Sequence, residues 1–201
     1  MEDFIKGMMD KSAKYFQAAM MEYHPARPGK NGKWNGLAEA NVLHYFGVAA
    51  HESGGMLYPE VPFYSDDATS SNARMDLMLY FKGQGLRINV EAKRLFDVNS
   101  ARGIVGDFSR IKSFNCNMAQ SSDDFSAVSQ NIALIISITQ YPEIRDGWCS
   151  GGPFKNKKSD SWRDLKNILN DSKTNIGSCK VDLGCEGVWH CDIVYAWQMI
   201  D

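Results

Sequence analysis

RMDLMLYFKGQGLRINVEAKR, residues 74–94, alternates polar and apolar residues on both sides of a glycine-containing turn. Alternation with a period of two is the signature of a β-strand, and two such runs joined by a short turn predict a hairpin. A two-residue type II′ turn at Gly83 and Gln84 pairs residues whose numbers sum to 167. A four-residue loop over residues 82–85 gives the same register. Either way one face carries Met75, Leu77, Leu79, Phe81, Leu86, Ile88, Val90 and Ala92, and is wholly apolar. The other carries Arg74, Asp76, Met78, Tyr80, Arg87, Asn89, Glu91 and Lys93. An antiparallel hairpin with one wet side accounts for mixed charges there. It does not account for Asp76 directly opposite Glu91, because like charges facing each other across a sheet destabilise it. A divalent cation held by both carboxylates offsets that repulsion, and hard oxygen ligands without histidine favour Mg2+ over zinc.

Outward from the hairpin, the chain reads as helix, three strands, helix, strand, helix and a final hairpin. An amphipathic helix occupies residues 1–23, followed by a loop over residues 24–36. A helix over residues 37–52, opened by Asn35, carries Glu39 on the same stripe as Val42 or Leu43, Phe46 and Ala50. A strand over residues 58–64 contains Pro59 and Pro62, which place it at a sheet edge. Ser100 caps a helix in which Ile104, Phe108 and Ile111 recur at one-turn spacing. Residues 132–138, IALIISI, form a strand buried on both faces. A loop spans residues 141–160, a helix 161–170, and strands 179–183 and 188–198. This order predicts an α/β fold, a single mixed central sheet flanked by helices. With 201 residues and no linker or repeat, one domain is expected, burying about 70% of its unfolded surface.

The N-terminal stretch carries acids and lysines among its apolar residues and lacks the apolar core of a signal peptide. No run approaches the roughly 18 apolar residues of a membrane span. The expectation is a cytoplasmic protein with no membrane partner. Five cysteines at irregular spacing argue against a disulfide framework and for free thiols. Cys179, Cys185, His190 and Cys191 lack the paired short spacing of a structural zinc site. A net charge of −2 supplies no global field for nucleic acid, so any such contact must come from local groups. The candidates are Arg87, Lys93, Arg94, Arg102, Arg110 and Lys112 in the middle, and Lys155, Lys157, Lys158, Arg163 and Lys166 later.

An acid near the end of one strand, a hairpin, then Glu-x-Lys on the next strand, with a glutamate-bearing helix before and a helix and buried strand after, resembles the PD-(D/E)xK nuclease superfamily. The matching pieces are RMD at 74–76, EAK at 91–93 and GLAEANVL at 36–43. They span residues 36–140, a nuclease-like core to which the N-terminal helix and the elements of 160–201 are additions. Met75 stands where the name-giving proline would be. The resemblance implies a restriction-endonuclease-like fold and a Mg2+-dependent phosphodiesterase, an endonuclease more than an exonuclease. Mn2+ is a substitute, DNA is favoured over RNA, and a homodimer is plausible. It implies that Asp76, Glu91 and the Ala92 carbonyl hold the metal, while Lys93 orients the attacking water. Glu39 either approaches the metal or pairs with an arginine such as Arg74. Arg94, Arg102 and Arg110 are expected at substrate phosphates. The alternative is a catalytically silent binding module of the same fold. Glu60 reads as a surface glutamate on the edge strand, His44 and His51 as packed or surface residues, and Trp148, Trp162, Trp189 and Trp197 as core.

Overall fold

Residues 74–94 do fold as a hairpin. In the computed structural model, which describes residues 1–23, 39–62, 74–113, 128–152, 154, 159–182 and 190–200, strand β2 (Arg74–Phe81) pairs antiparallel with β3 (Leu86–Arg94). The paired residues run from Leu77↔Val90 to Phe81↔Leu86, the expected register. The turn differs from the two-residue form. Lys82–Gln84 make one 3-10 turn, and the positive φ falls on Gly85 (58°) rather than Gly83. The left-handed conformation closes the four-residue loop, and glycine adopts it without a Cβ clash.

Strand β1 (Met56–Pro62) lies at one edge beside β2, and β4 (Gln130–Thr139) runs parallel to β3 on the other side. Strands β5 (Asn175–Asp182) and β6 (His190–Ile200) complete one six-stranded mixed sheet in the order β1-β2-β3-β4-β6-β5. The C-terminal hairpin therefore continues the sheet, with β6 hydrogen-bonded directly to β4.

Helices α1 (Glu2–Tyr23) and α2 (Glu39–Glu52) cover one face. Ile5, Met8, Met9 and Phe16 of α1 pack with Val42, Phe46 and Ala50 of α2 over Leu77, Leu79, Ile88, Val90 and the even-numbered isoleucines of β4. Each fully buried side chain of this kind contributes about 1.5–3 kcal/mol, so α1 is a structural lid on the sheet. Helices α3 (Val98–Lys112), α4 (Pro142–Cys149) and α5 (Asp160–Leu169) cover the opposite face through Ile104, Phe108, Ile111, Trp148, Trp162 and Leu165.

That second layer corrects three readings. The face carrying Glu91 is not wet: Asn89 and Glu91 are 0% and 2% exposed beneath α3. Asp97, not Ser100, caps α3. Its carboxylate accepts from the Ser100 N–H at 2.8 Å while the Ser100 hydroxyl accepts from the Asp97 N–H at 2.9 Å, a reciprocal capping box. Within the segment expected as loop, Pro142 opens the eight-residue α4, where its fixed φ suits the first helical position. The caps and strand ends assigned to residues 24–38, 63–73 and 183–189, including Asn35, lie outside the described residues.

Met75 also changes sides. By strict alternation it belongs with Leu77 under α2, yet it packs with Val61 in the α3 layer. The cause is a break where β1 and β2 pass each other. Pairs Pro59↔Leu77 and Val61↔Met75 flank Glu60 and Asp76, which are themselves unpaired. Glu60 has φ 53°, the one positive value at a non-glycine position among the described residues. Both strands switch face there.

Candidate metal centre

Asp76 sits at that switch, one position past the last β2–β3 pair. The strands have parted, so its side chain replaces a backbone acceptor: Oδ2 receives the Ala92 N–H at 2.8 Å. Glu91 lies across from it on β3, beneath α3. Its Oε1 accepts from Arg110 Nη2 at 2.7 Å, and the same nitrogen reaches Asp107 Oδ1 at 2.9 Å. Asp107 Oδ2 in turn holds Lys93 Nζ at 2.9 Å. Gly103 admits the lysine: a Cβ there would lie 3.0 Å from Lys93 Cε. Glu39, in the first turn of α2, accepts the Arg94 N–H on Oε1 at 2.9 Å and so ties that helix to the end of β3.

The fold thus gathers Glu39, Asp76, Glu91 and Lys93 at one end of β3, and adds Asp107 and Arg110 from α3. Glu39 meets the backbone of Arg94 rather than an arginine side chain. Arg94 is exposed, its guanidinium 5.5 Å from the Phe96 ring centre. Arg102 is exposed on α3 and takes no part in the network. Asp107 went unremarked in the sequence. Its signal was present, an acid on the stripe of Ile104, Phe108 and Ile111, the same pattern that singles out Glu39.

Among the described residues the cluster holds more acids than cations. Four carboxylates (Glu39, Asp76, Glu91, Asp107) face two cations, Lys93 and Arg110. Burial pushes the Glu91 pKa up to about 8 against the pull of Arg110, and the charges of Asp76 and Asp107 push the same way. Burial opposes the Lys93 ammonium, but its ion pair with Asp107, helped by Glu39 and Glu91, holds its pKa above the usual lysine value. Lys93 is therefore a cation at neutral pH.

Among the described residues no three His, Cys, Asp or Glu side chains converge closely enough to cage a metal. Two carboxylates suffice for Mg2+, which keeps several waters and completes its shell with substrate phosphate. One oxygen of each is engaged by protein, leaving Asp76 Oδ1 and Glu91 Oε2 without a protein donor among the described residues. The donor set is all hard oxygen and fits Mg2+ or Mn2+. Of the residues weighed for zinc, Cys179 and Cys191 are buried, which raises both thiols to about 12, and Cys185 lies outside the described residues.

Asp76 also lines a pocket of about 550 Å³ between α2 and β1, together with Leu43, Gly47, Leu57 and Leu77 and the exposed His44 and His51. Trp148, Trp162 and Trp197 are buried core residues, and Trp148 Nε1 donates to the Tyr195 carbonyl at 3.0 Å. Trp189 and Lys155, Lys157 and Lys158 lie outside the described residues. No described helix is long and apolar enough to cross a membrane. Searches against protein-family models, curated proteins and solved structures find no match.

Proposed function

We propose that this protein is a Mg2+-dependent nuclease with a restriction-endonuclease-like core, an endonuclease that hydrolyses phosphodiester bonds of DNA. The observation that carries the reading is the gathering of Asp76, Glu91 and Lys93 at one end of β3. Asp76 stands beside the β3 backbone at Ala92, Glu91 is buried on Arg110, and Lys93 is held by Asp107. Asp76 and Glu91, with the Ala92 carbonyl, would hold the divalent cation. When bound, it supplies Lewis-acid polarisation of a phosphoryl oxygen and a bound water of lowered pKa.

The chain's own residues do the rest. Asp107 fixes the Lys93 ammonium at 2.9 Å, where it orients the attacking water and stabilises charge building on the phosphoryl oxygens. Glu39 anchors the end of β3 through the Arg94 N–H and so keeps the lysine and the carboxylates in register. Arg94 and Arg102, both exposed, would meet flanking phosphates, which position a substrate without reading its sequence. A homodimer would cut both strands. The preference for DNA rests on the superfamily resemblance.

One observation favours a second reading. Arg110 already lies on Glu91, which suits a catalytically silent nucleic-acid- or protein-binding module whose acids are satisfied internally. Incubation with supercoiled, linear and single-stranded DNA and with RNA, in Mg2+, Mn2+ or chelator, decides between them. Metal-dependent cleavage is expected, falling at least about 100-fold in Asp76→Asn and Lys93→Ala while both variants keep their fold by circular dichroism. Cleavage equal in all three proteins would mark a contaminant. Retention of nucleic acid without cleavage under every metal condition would support the silent module.

A further inference from the structure

Arg110 stands in the last turn of α3, and its Nη2 touches Glu91 and Asp107 together. The two contacts differ in kind. Asp107 is three residues back on the same helix, so that pair is local to α3. Glu91 belongs to β3 and is also the carboxylate a divalent cation would share with Asp76. A guanidinium and a metal ion compete for it, because like charges a few ångströms apart repel strongly where water is excluded. Exposure says which group yields. The Arg110 side chain is 38% exposed against 3% for Glu91, so the arginine has solvent to swing into and the glutamate has none. Lys93 is held differently, by Asp107 Oδ2 and by its close approach to Gly103.

We infer that Arg110 is a displaceable counter-cation: it holds Glu91 while no metal is bound, and passes to a substrate phosphate when a divalent cation takes Glu91. This rests on the metal-dependent reading above. It makes cation binding and nucleic-acid binding cooperative through one side chain. The cation frees the guanidinium, the phosphate keeps it away, and linkage requires the same factor in both directions. It also accounts for both aspects of Arg110, a partner of Glu91 now and a phosphate contact later.

The test uses Ca2+, which suits the same oxygen donors, and a short labelled DNA duplex. Calorimetry measures Ca2+ binding to wild type, Arg110→Gln, Arg110→Lys and Asp76→Asn. Fluorescence anisotropy measures duplex binding by each in Ca2+ and in chelator. Without DNA, Arg110→Gln is expected to bind Ca2+ about fivefold tighter than wild type or better, because the competing cation is gone. The gain in duplex affinity that Ca2+ brings, about tenfold in wild type, is expected to fall below about threefold in that variant. Should Arg110→Gln fail to fold, Arg110→Lys carries the test. Its ammonium holds Glu91 without the planar fork, so tighter Ca2+ binding by a smaller factor is expected. If Asp76→Asn loses Ca2+ while the Arg110 variants bind it no tighter than wild type, the inference is overturned and the metal centre stands. If wild type itself binds no Ca2+, the metal-dependent reading fails and takes the inference with it.

Discussion

The two helical layers cover the same six strands with different chemistry. Under α1 and α2 the sheet meets aliphatic and aromatic side chains, and Ser12 is the one buried polar residue on that side among the described residues. Under α3 and α4 the same strands bury Asn89, Glu91, Ser137, Thr139 and Asp192, with Asp107 descending from the helix. Apolar burial dominates the first side, with the Tyr15 hydroxyl donating to Glu52 between α1 and α2. On the second, every charge has to recover its desolvation cost from a partner, and a buried ion pair recovers it barely or not at all. Polar groups that stability does not require point to a functional demand, and they concentrate where β3 ends. Asp192 extends the pattern to β6: it is 1% exposed, and the nearest cation is Arg145, 3.5 Å away.

The sharpest way to break this contrast is to damage the apolar side and watch the polar one. Phe46 is fully buried between α2 and the sheet, so Phe46→Ala is expected to cost about 3–5 kcal/mol in urea denaturation. At temperatures where the variant is still folded, the proposed binding of a divalent cation should survive. Loss of that binding would mean the two sides are not separable.

Between acid and neutral pH the strongly shifted group is Glu91, on the polar side. The Glu91 pKa stands at about 8 in the folded protein against 4.5 for the free side chain, so the native state keeps a proton that the unfolded chain releases. The stability from this group is complete below about pH 4.5 and is lost as pH rises through about 8. Urea midpoints for wild type should therefore fall across that window by up to about 1.4 kcal/mol per pH unit, and Glu91→Gln should flatten the slope. Equal slopes would show that Arg110 keeps Glu91 ionised throughout.

The smallest effect is expected at the hinge between the two environments. Glu60 holds φ at 53°, a conformation that costs a non-glycine residue about 1–2 kcal/mol. Glu60→Gly removes that strain but frees the unfolded chain, leaving a net gain of about 0.5–1 kcal/mol in thermal melts. A loss instead would assign Glu60 a contact through its side chain.

The hairpin register was legible because it rests on two local rules, alternation along a strand and a turn too short to allow another pairing. Residues 74–94 were enough to pair Leu77–Phe81 with Leu86–Val90, one step short of Asp76 and Glu91. The stripe of Ile104, Phe108 and Ile111 likewise announced α3. The illegible parts were those where two environments share one pattern. Asn89 and Glu91 alternate with apolar neighbours whether water or α3 covers them. Ser100 is a good cap by type, yet the choice of Asp97 followed from where β3 releases the chain. Met75 was misplaced because β1 and β2 change face where Glu60 and Asp76 stand unpaired, and a glutamate carries no warning of positive φ.

By itself, then, the sequence determined the α/β class, the strand pairing at the hairpin and the presence of two acids and a lysine at one end of it, all consequences of backbone stereochemistry within about twenty residues. Only the tertiary structure decided that Arg110 rests on Glu91 and that Asp107 holds Lys93, contacts between a helix and a strand 14 to 19 residues apart. Those depend on how a whole helical layer settles onto a sheet, where many weak apolar contacts fix the few polar ones.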